Sequence, residues 1–507
     1  MTDNYIILPV IGHLTVAVLL IFFWRKVTIQ RVISVAGNIL VLGLSIGLFV
    51  KTWRSTGYLI MQAGDWPAPF GITFVSDVLS ATMVLLTGIA GLAVCIFSTT
   101  GISRHRIQYG YFPILHFLLL GLNGAFLTGD IFNLYVWFEV IIISSFVLMT
   151  LGGKKPQIEG GIKYVTLNLL ASVMFLTAVA ILYGLTGSLN MADLSLKLAE
   201  ISNRGLVNVT GLLFFLGFGI KSAVFPLYFW LPSSYHTPPS AIAAIFGGLL
   251  TKVGVYALLR VFTLIFIPDV FTSNVLMIVA SATLLTGAFG AMTKRNMRMM
   301  FSYLIVCHIG YLIGGLGMYT ELALAGVIFY LIHDIIVKTN LFLVSGIIYK
   351  IRGTMNMDKL GGLYADYPKL SLLMAVVFFS LVGVPPLSGF WPKIYLFGEG
   401  LAAPYAWHLV GAMIVASFVT LYVMAKMWAD VFWKNRPAGD EAPDAFAPMK
   451  LSNRALLVLP VVMLAVVSLY IGFCAEHIMT LSKRIAADLK NTTPYIEAVL
   501  GREIIKP

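Results

Sequence analysis

Apolar stretches of about twenty residues recur from one end of the chain to the other, each long enough to cross a hydrocarbon layer as a helix. Fourteen such windows are read: 6–24, 31–50, 76–98, 109–127, 131–151, 163–187, 208–230, 240–264, 275–292, 300–318, 323–349, 371–396, 407–430 and 454–475. The pattern predicts an all-α polytopic membrane protein of about 14 transmembrane helices. No boundary reads as a linker, so residues 1–507 are expected to form a single membrane domain. Its longest polar excursions are Gly187–Asn208, a cytoplasmic loop at 431–453 and a C-terminal tail at 476–507.

Two windows carry helix breakers. In the seventh, KSAVFP (Lys221–Pro226) is expected to break the helix at Pro226, leaving the Ser222 carbonyl unbonded. In the twelfth, LVGVPPLSGFWPK sets Gly383, Pro385, Pro386, Gly389 and Pro392 in one apolar stretch ahead of Lys393. Irregular backbone survives at that depth only inside protein or along a wet cavity. The breaks lie five windows apart, and an odd offset reverses the direction of crossing. Two inverted five-helix repeats follow as an expectation, 109–264 (spans 4–8) and 275–430 (spans 9–13), with the broken helices in spans 7 and 12. Interrupted segments at corresponding positions of inverted halves mark a transport pathway near the midplane.

Composition removes the soluble classes: 59% of residues are hydrophobic and only 11% charged, against about 25% charged in soluble domains. The net charge of +12 is concentrated in alternate short loops. Arg25, Lys26, Arg31, Arg104, Arg106, Lys154, Lys155, Lys294, Arg295, Arg298, Lys350, Arg352, Lys434 and Arg436 fall on one side, while the other side carries only Lys51, Arg54, Lys197, Arg204 and Arg260. The positive-inside rule then places both termini on the non-cytoplasmic side, although Lys483, Arg484, Lys490, Arg502 and Lys506 in the tail run against it. Basic charge of this kind serves topology and contact with anionic membrane lipids, and gives no reason to invoke nucleic acid. MTDNYIILPV lacks a basic segment and cleavage site, so the first window is expected to be a retained span. Cys95, Cys307 and Cys474 are scattered and read as packing residues. No metal or cofactor motif is found, and none is expected.

The candidate chemistry lies in four lysines within apolar windows: Lys221, Lys252, Lys338 and Lys393. Each costs about 2.5–3.5 kcal/mol at the centre of a bilayer, so intramembrane lysines are functional candidates by default. To persist they must be hydrated, paired or partly neutral, which are the states a proton pathway uses. In FYLIHDIIVKTNLFL, Asp334 and Lys338 stand i, i+4 with the acid first, a favourable helix pair, and His333 adjoins them.

The segments GDIFNLYVWFEV (Gly129–Val140), KSAVFPLYFWLPSSYHTPPSA (Lys221–Ala241), LLTKVGVYALLR (Leu249–Arg260) and GVPPLSGFWPK (Gly383–Lys393) resemble the proton-translocating antiporter-like subunits shared by respiratory complex I and the Mrp multisubunit Na+/H+ antiporters. The resemblance covers nearly the whole chain, in order, and is nearest to the D-type subunit of the Mrp antiporters. One complex I homologue carries a glutamate where Lys393 stands, which argues against that relative. The resemblance implies a fifth-span Glu139 paired with a seventh-span Lys221, a central Lys252, a linking group of His333 and Lys338, a tenth-span His308 and a distal Lys393. It also implies a bacterial cell membrane, protons and sodium ions as the cargo, and partner subunits A, B, C, E, F and G.

Blander readings stand beside these. Glu139 and Lys221 would serve equally as a static pair, Asp334 would lock Lys338 structurally, and His308 would be a packing histidine. Asp77 and Asp130 would cap helices or face water at span edges, and His236 would be either a gate or an ordinary loop residue. At the level of the whole chain the alternatives are a subunit of a redox-driven proton pump, in complex I or a membrane-bound hydrogenase, and an assembly scaffold with no proton path.

Overall fold

The computed structural model describes residues 3–55, 57–437 and 444–501. The middle of the 431–453 loop, the last residues of the tail and the tail charges Arg502 and Lys506 lie outside the described residues.

Every apolar window carries a helix. Twelve are long and apolar enough to cross a membrane: Asn4–Phe22, Val27–Arg54, Val78–Gly101, Ile131–Thr150, Lys155–Thr186, Arg204–Ser222, Ser240–Leu264, Val270–Met292, Met297–Met318, Glu321–Arg352, Trp407–Trp433 and Leu451–Phe473. Two shorter apolar helices, Tyr111–Leu127 and Pro368–Val382, fill the fourth and twelfth windows. The chain is a multi-pass integral membrane protein. Its helix starts are fixed by side chains that take up free backbone N–H groups: Asp77, Asp130, Asp269, Asn296 and Thr320 each accept such a bond. Asp77 and Asp130 thus fit the capping role expected of them.

At the centre stand Ser240–Leu264 and Glu321–Arg352, whose apolar windows are wholly covered by the other helices. The outer helices turn apolar side chains outward, among them Phe22, Val32, Leu40, Val173 and Phe418, as lipid-facing surfaces do. The helix Ser240–Leu264 packs closely on its neighbours because its contacts are made of glycine. A Cβ on Gly248 would collide with Thr339 Oγ1, and one on Gly254 would meet the Ser222 backbone nitrogen at 3.0 Å. Buried polar contacts tie the rest together, for example His13 Nδ1 to His116 Nδ1 at 3.0 Å and His116 Nε2 to Ser34 Oγ at 2.9 Å.

Three features depart from the sequence reading. First, residues after the second span form an antiparallel hairpin, Tyr58–Gln62 with Thr73–Asp77, in the register Tyr58↔Asp77. Second, Arg260 is a buried helix residue paired with Asp77 at 2.6 Å, not a loop charge. Third, the tail is built structure: Ala475–Lys490 is an amphipathic helix and Thr493–Leu500 a second, shorter one. Arg484 donates to the Trp53 carbonyl at 3.0 Å and lies 4.3 Å over its ring, while Lys490 donates to the Tyr319 carbonyl at 3.0 Å. The tail therefore lies across helix ends from both halves of the chain.

Asp488, on the first tail helix, is pushed up to about 6 by burial, with the charge of Asp77 adding to the effect. An acid whose affinity for protons rises on folding stabilises the fold less as pH climbs from about 4 through its folded value, because the native state then releases a proton it held better than the unfolded chain. The contribution of Asp488 to the docked tail is accordingly most favourable below about pH 4. Asp488→Asn is expected to raise the thermal midpoint of the solubilised protein by about 1–2 °C at pH 7.5 and by clearly less at pH 4.5. A midpoint difference independent of pH would refute this.

Candidate functional site

The two broken spans are built alike. The helix Arg204–Ser222 ends with Ala223 at φ +61, and Pro368–Val382 ends with Gly383 at φ +87. In each, the next N–H reaches back five residues: Val224 to the Gly219 carbonyl and Val384 to the Phe379 carbonyl. Seven non-helical positions follow, 223–229 and 383–389, before Trp230–Ser234 and Phe390–Ala402 resume the crossing. Pro226 lies beyond the break instead of causing it. The left-handed turn at Ala223 ends the helix three residues earlier, and the Trp230 indole N–H donates to the Ile220 carbonyl at 2.9 Å.

Lys221 sits at the last turn before the first break, 4% exposed. Its ammonium donates to Ser172 Oγ at 3.2 Å and lies 4.7 Å from the centre of the Phe138 ring. It makes no ion pair with Glu139, whose half-buried carboxylate has a buried oxygen, Oε1, without a hydrogen-bond partner. The pair implied by the resemblance is thus open here. A cavity of about 10 Å³ beside Lys221, lined also by Asn168, Tyr164, Leu250 and Val253, has room for one water on the side facing the next span.

Lys252 and Asp334 form the centre. Both are fully buried, and the Lys252 ammonium meets Asp334 Oδ2 at 2.8 Å. The same ammonium donates to the Gly247 carbonyl at 2.8 Å, within the π-helical turn Phe246–Leu250 whose shifted bonding sits directly before the lysine. Asp334 Oδ1 is 2.9 Å from His308 Nδ1. The pairing of Asp334 with Lys338 expected from their spacing is corrected: although they share a helix face, the Lys338 ammonium donates to the Leu304 carbonyl at 3.0 Å, leaving Asp334 to the lysine of the neighbouring helix.

On the far side, His333 Nδ1 contacts Ser388 Oγ at 2.8 Å, and Ser388 continues to Ser468 at 2.9 Å. His333 therefore abuts the second break. Tyr330 stands between the histidines, its ring 5.5 Å from that of His308 and 5.7 Å from that of His333. Its buried hydroxyl has no hydrogen-bond partner. Lys393 is buried as well, 5% exposed. It donates to the Val382 carbonyl at 2.8 Å, at the lip of the break, and lies 5.5 Å from the Tyr311 ring.

The structure thus joins Lys252, Asp334 and His308 directly, sets Lys338 one turn from Asp334, and flanks this centre with Lys221 and Lys393 at the two breaks. Sequence reasoning misses Ser172, Tyr330 and Ser388. Their only signal is polarity within apolar runs, which many packing residues share. His236 has an ordinary turn contact, Nδ1 to the Pro232 carbonyl at 2.8 Å. Among the described residues, no three of His, Cys, Asp and Glu converge as metal ligands. Chemically, the arrangement holds a row of buried ionisable groups, with carbonyls, hydroxyls and one carboxylate as exchangeable partners.

Comparison with known proteins agrees with this architecture. The family described as NADH:quinone oxidoreductase/Mrp antiporter, transmembrane, matches residues 128–420. The chain is 42% identical to the D-type Na(+)/H(+) antiporter subunit of Alkalihalophilus pseudofirmus over 98% of its own length and 99% of the relative's. It is 38% identical to the D-type subunit of Bacillus subtilis, again over 98% and 99%. A chain in the structure of the Mrp complex from Dietzia sp. DQ12-45-1b superposes with a TM-score of 0.88 at 30% identity, over 99% of this chain and all of that one. A chain of the archaeal membrane-bound sulfane sulfur reductase superposes with a TM-score of 0.85 at 25% identity, over 98% and 99%. With its lysine row, its paired helix breaks and these relatives, the chain belongs to the NADH:quinone oxidoreductase/Mrp antiporter transmembrane family.

Proposed function

We propose that this chain is the D-type subunit of a multisubunit Na+/H+ antiporter. In this reading it moves protons across the middle of a bacterial cell membrane and works with subunits A, B, C, E, F and G. Both termini lie outside the cytoplasm, and residues 109–264 and 275–430 act as inverted halves, a reading supported by the matching construction of the two breaks. The observation that carries the proposal is the buried Lys252–Asp334 pair, with Lys221 on one side and Lys338 and Lys393 on the other.

The mechanism follows from charge. Burial disfavours an ammonium, and an adjacent carboxylate restores it. A proton arriving near Lys221 raises the local positive potential felt by Lys252, whose proton is held by Asp334 and the Gly247 carbonyl. Asp334 has a second lysine, Lys338, one turn along its own helix. Transfer of its attraction from Lys252 to Lys338 would pass the charge across the centre, with His308 and His333 as neighbouring exchangers and Lys393 as the terminal site. Glu139 sets the starting point, since closing it onto Lys221 would hold the proton and opening it would release it. A charge crossing the whole potential gains about 2.3 kcal/mol per 100 mV, so voltage can drive an exchange of unequal stoichiometry. The sulfane sulfur reductase likeness keeps a redox-driven pump as the competing reading; relatives named as antiporter subunits, matched over nearly their whole length, favour the antiporter.

The test is Na+-dependent proton movement in everted vesicles of an antiporter-deficient strain expressing the whole operon, with assembly checked on native gels. Lys221→Ala is expected to assemble and to lose at least about tenfold in exchange rate. Unchanged exchange would reduce Lys221 to a structural residue, and absence of exchange from the native operon would favour the redox pump. The central pair gives a second expectation. Lys252→Met alone leaves a buried carboxylate without its partner and should cost about 3–5 kcal/mol, lowering the amount of assembled complex. Lys252→Met combined with Asp334→Leu should recover assembly but not exchange; recovered exchange would refute a role for the pair in transport.

A further inference from the structure

Away from the lysine row, a cavity of about 580 Å³ opens between the starts of spans 7 and 9, Arg204–Ser222 and Val270–Met292, and the end of span 8, Ser240–Leu264. Its size is that of a ligand pocket, well beyond the voids left by imperfect packing. It shares no lining residue with the small space beside Lys221.

The polarity of the lining is graded with depth. Arg204, Asn208, Leu212 and Phe215 stand i, i+4, i+8 and i+11 on one helix, share a face, and all line the cavity. The arginine begins the helix, and Phe215 lies about 16 Å further along the axis. That distance is about half the hydrocarbon thickness of a bilayer, the reach of one leaflet. Spans 7 and 9 cross in the same direction, so Asp269, which caps the start of span 9, stands at the same membrane surface as Arg204. Deeper in, the walls are apolar. Phe262 and Phe266 from the end of span 8 lie 6.2 Å from the Phe215 ring and 5.6 Å from the Phe214 ring, respectively. Gly211 gives Phe266 its place, since a Cβ there would come within 3.2 Å of that ring. Val209, Leu212, Ile267 and Phe271 are exposed at the rim, so the cavity is open sideways, where lipid lies.

The mouth carries one cation and one anion. Arg204 donates from its two terminal nitrogens to the Leu198 and Ala199 carbonyls at 3.0 and 2.9 Å, and the rest of its fork of N–H groups remains for another acceptor. Asp269 accepts the Thr272 backbone N–H at 2.7 Å, which uses one of the acceptor sites of the carboxylate. Among the described residues neither charge has an ion-pair partner. The two match a headgroup that bears both charges, with phosphate on the guanidinium and ammonium on the carboxylate. A net-anionic headgroup would bring no cation to Asp269. A quaternary ammonium has no N–H to give it.

We infer that the cavity binds a phospholipid with a primary-ammonium headgroup, of the phosphatidylethanolamine class. Its phosphate meets Arg204, its ammonium Asp269 and its ester region Asn208, while one acyl chain runs along Phe215, Phe262 and Phe266. The lipid fills the space between spans 7, 8 and 9, and its binding is independent of the proton route proposed above.

The test uses the complete complex in phosphatidylcholine nanodiscs that contain a trace of a phospholipid with a diazirine on its acyl chain. Three probes share that chain and differ only in headgroup: ethanolamine, choline or glycerol. Crosslinked residues are read by peptide mass spectrometry, relative to labelling elsewhere on the lipid-facing surface. The ethanolamine probe is expected to label Phe215, Phe262 and Phe266 about tenfold more than either of the others, the size of one charge-assisted hydrogen bond. Asp269→Asn keeps the helix cap and removes the charge, and should bring the ethanolamine probe down to the choline level. Leu212→Trp places a large ring in the cavity from an exposed position and should lower labelling of these residues by all three probes at least about tenfold. If that variant does not assemble, Val209→Trp, also exposed at the rim, takes its place.

Equal labelling by the three probes would mean ordinary boundary lipid and overturns the site. Absence of labelling from the lining, with normal labelling elsewhere, would mean that a partner subunit covers the cavity, and overturns it too. A preference for the glycerol probe, or an ethanolamine preference that survives Asp269→Asn, overturns the assignment of the headgroup.

Discussion

The ion pair between Lys252 and Asp334 is the interaction around which the molecule is arranged. Two opposite charges with no exposed surface hold together in a membrane interior only if their partners are fixed, since desolvation of each ion costs several kcal/mol. The surrounding structure supplies that fixity. Gly248 and Gly254 let the helices approach, the π-helical turn offers the Gly247 carbonyl, and His308 takes the second carboxylate oxygen. The same cost makes the pair a point of leverage. A change in charge nearby acts across a medium that screens poorly.

Main-chain carbonyls are the recurrent means of keeping lysines inside. Lys252 uses that of Gly247, Lys338 that of Leu304 and Lys393 that of Val382. A carbonyl contributes attraction without net charge, so it holds an ammonium less firmly than a carboxylate does and leaves it free to lose its proton. Lys221 has a hydroxyl and an aromatic face instead. Of the four, only Lys252 has a carboxylate at contact distance. This inequality gives the row a tight middle and looser ends, an ordering that suits stepwise transfer.

The spans, the two breaks and the four lysines are legible in the sequence, because each is a local signal: a run of apolar residues, a cluster of Gly and Pro, a charge out of place. The errors share one origin. Spacing along one helix is visible in a sequence and matches Asp334 to Lys338, whereas its partner Lys252 approaches from another helix. Pro226 draws the blame for a break that begins at Ala223, since nothing local marks an alanine for the left-handed region. Arg260 looks like a loop charge because Asp77, which neutralises it, lies five spans away. The tail looks like a polar excursion since its apolar residues are spaced around one side of a helix and never form a run.

The tail also bears on the order in which the protein is made. Arg484, Lys490 and Tyr495 complete contacts with Trp53 in the second span, Tyr319 after the tenth and Arg260 in the eighth. These groups leave the ribosome after every span they touch. Until then the inserted bundle has one unroofed face, and the arginine in the central helix has one aromatic wall where the finished protein has two. A protein synthesised from one end to the other has thus placed a closing contact in a late segment, so that a product cut short before the tail is left open on that face.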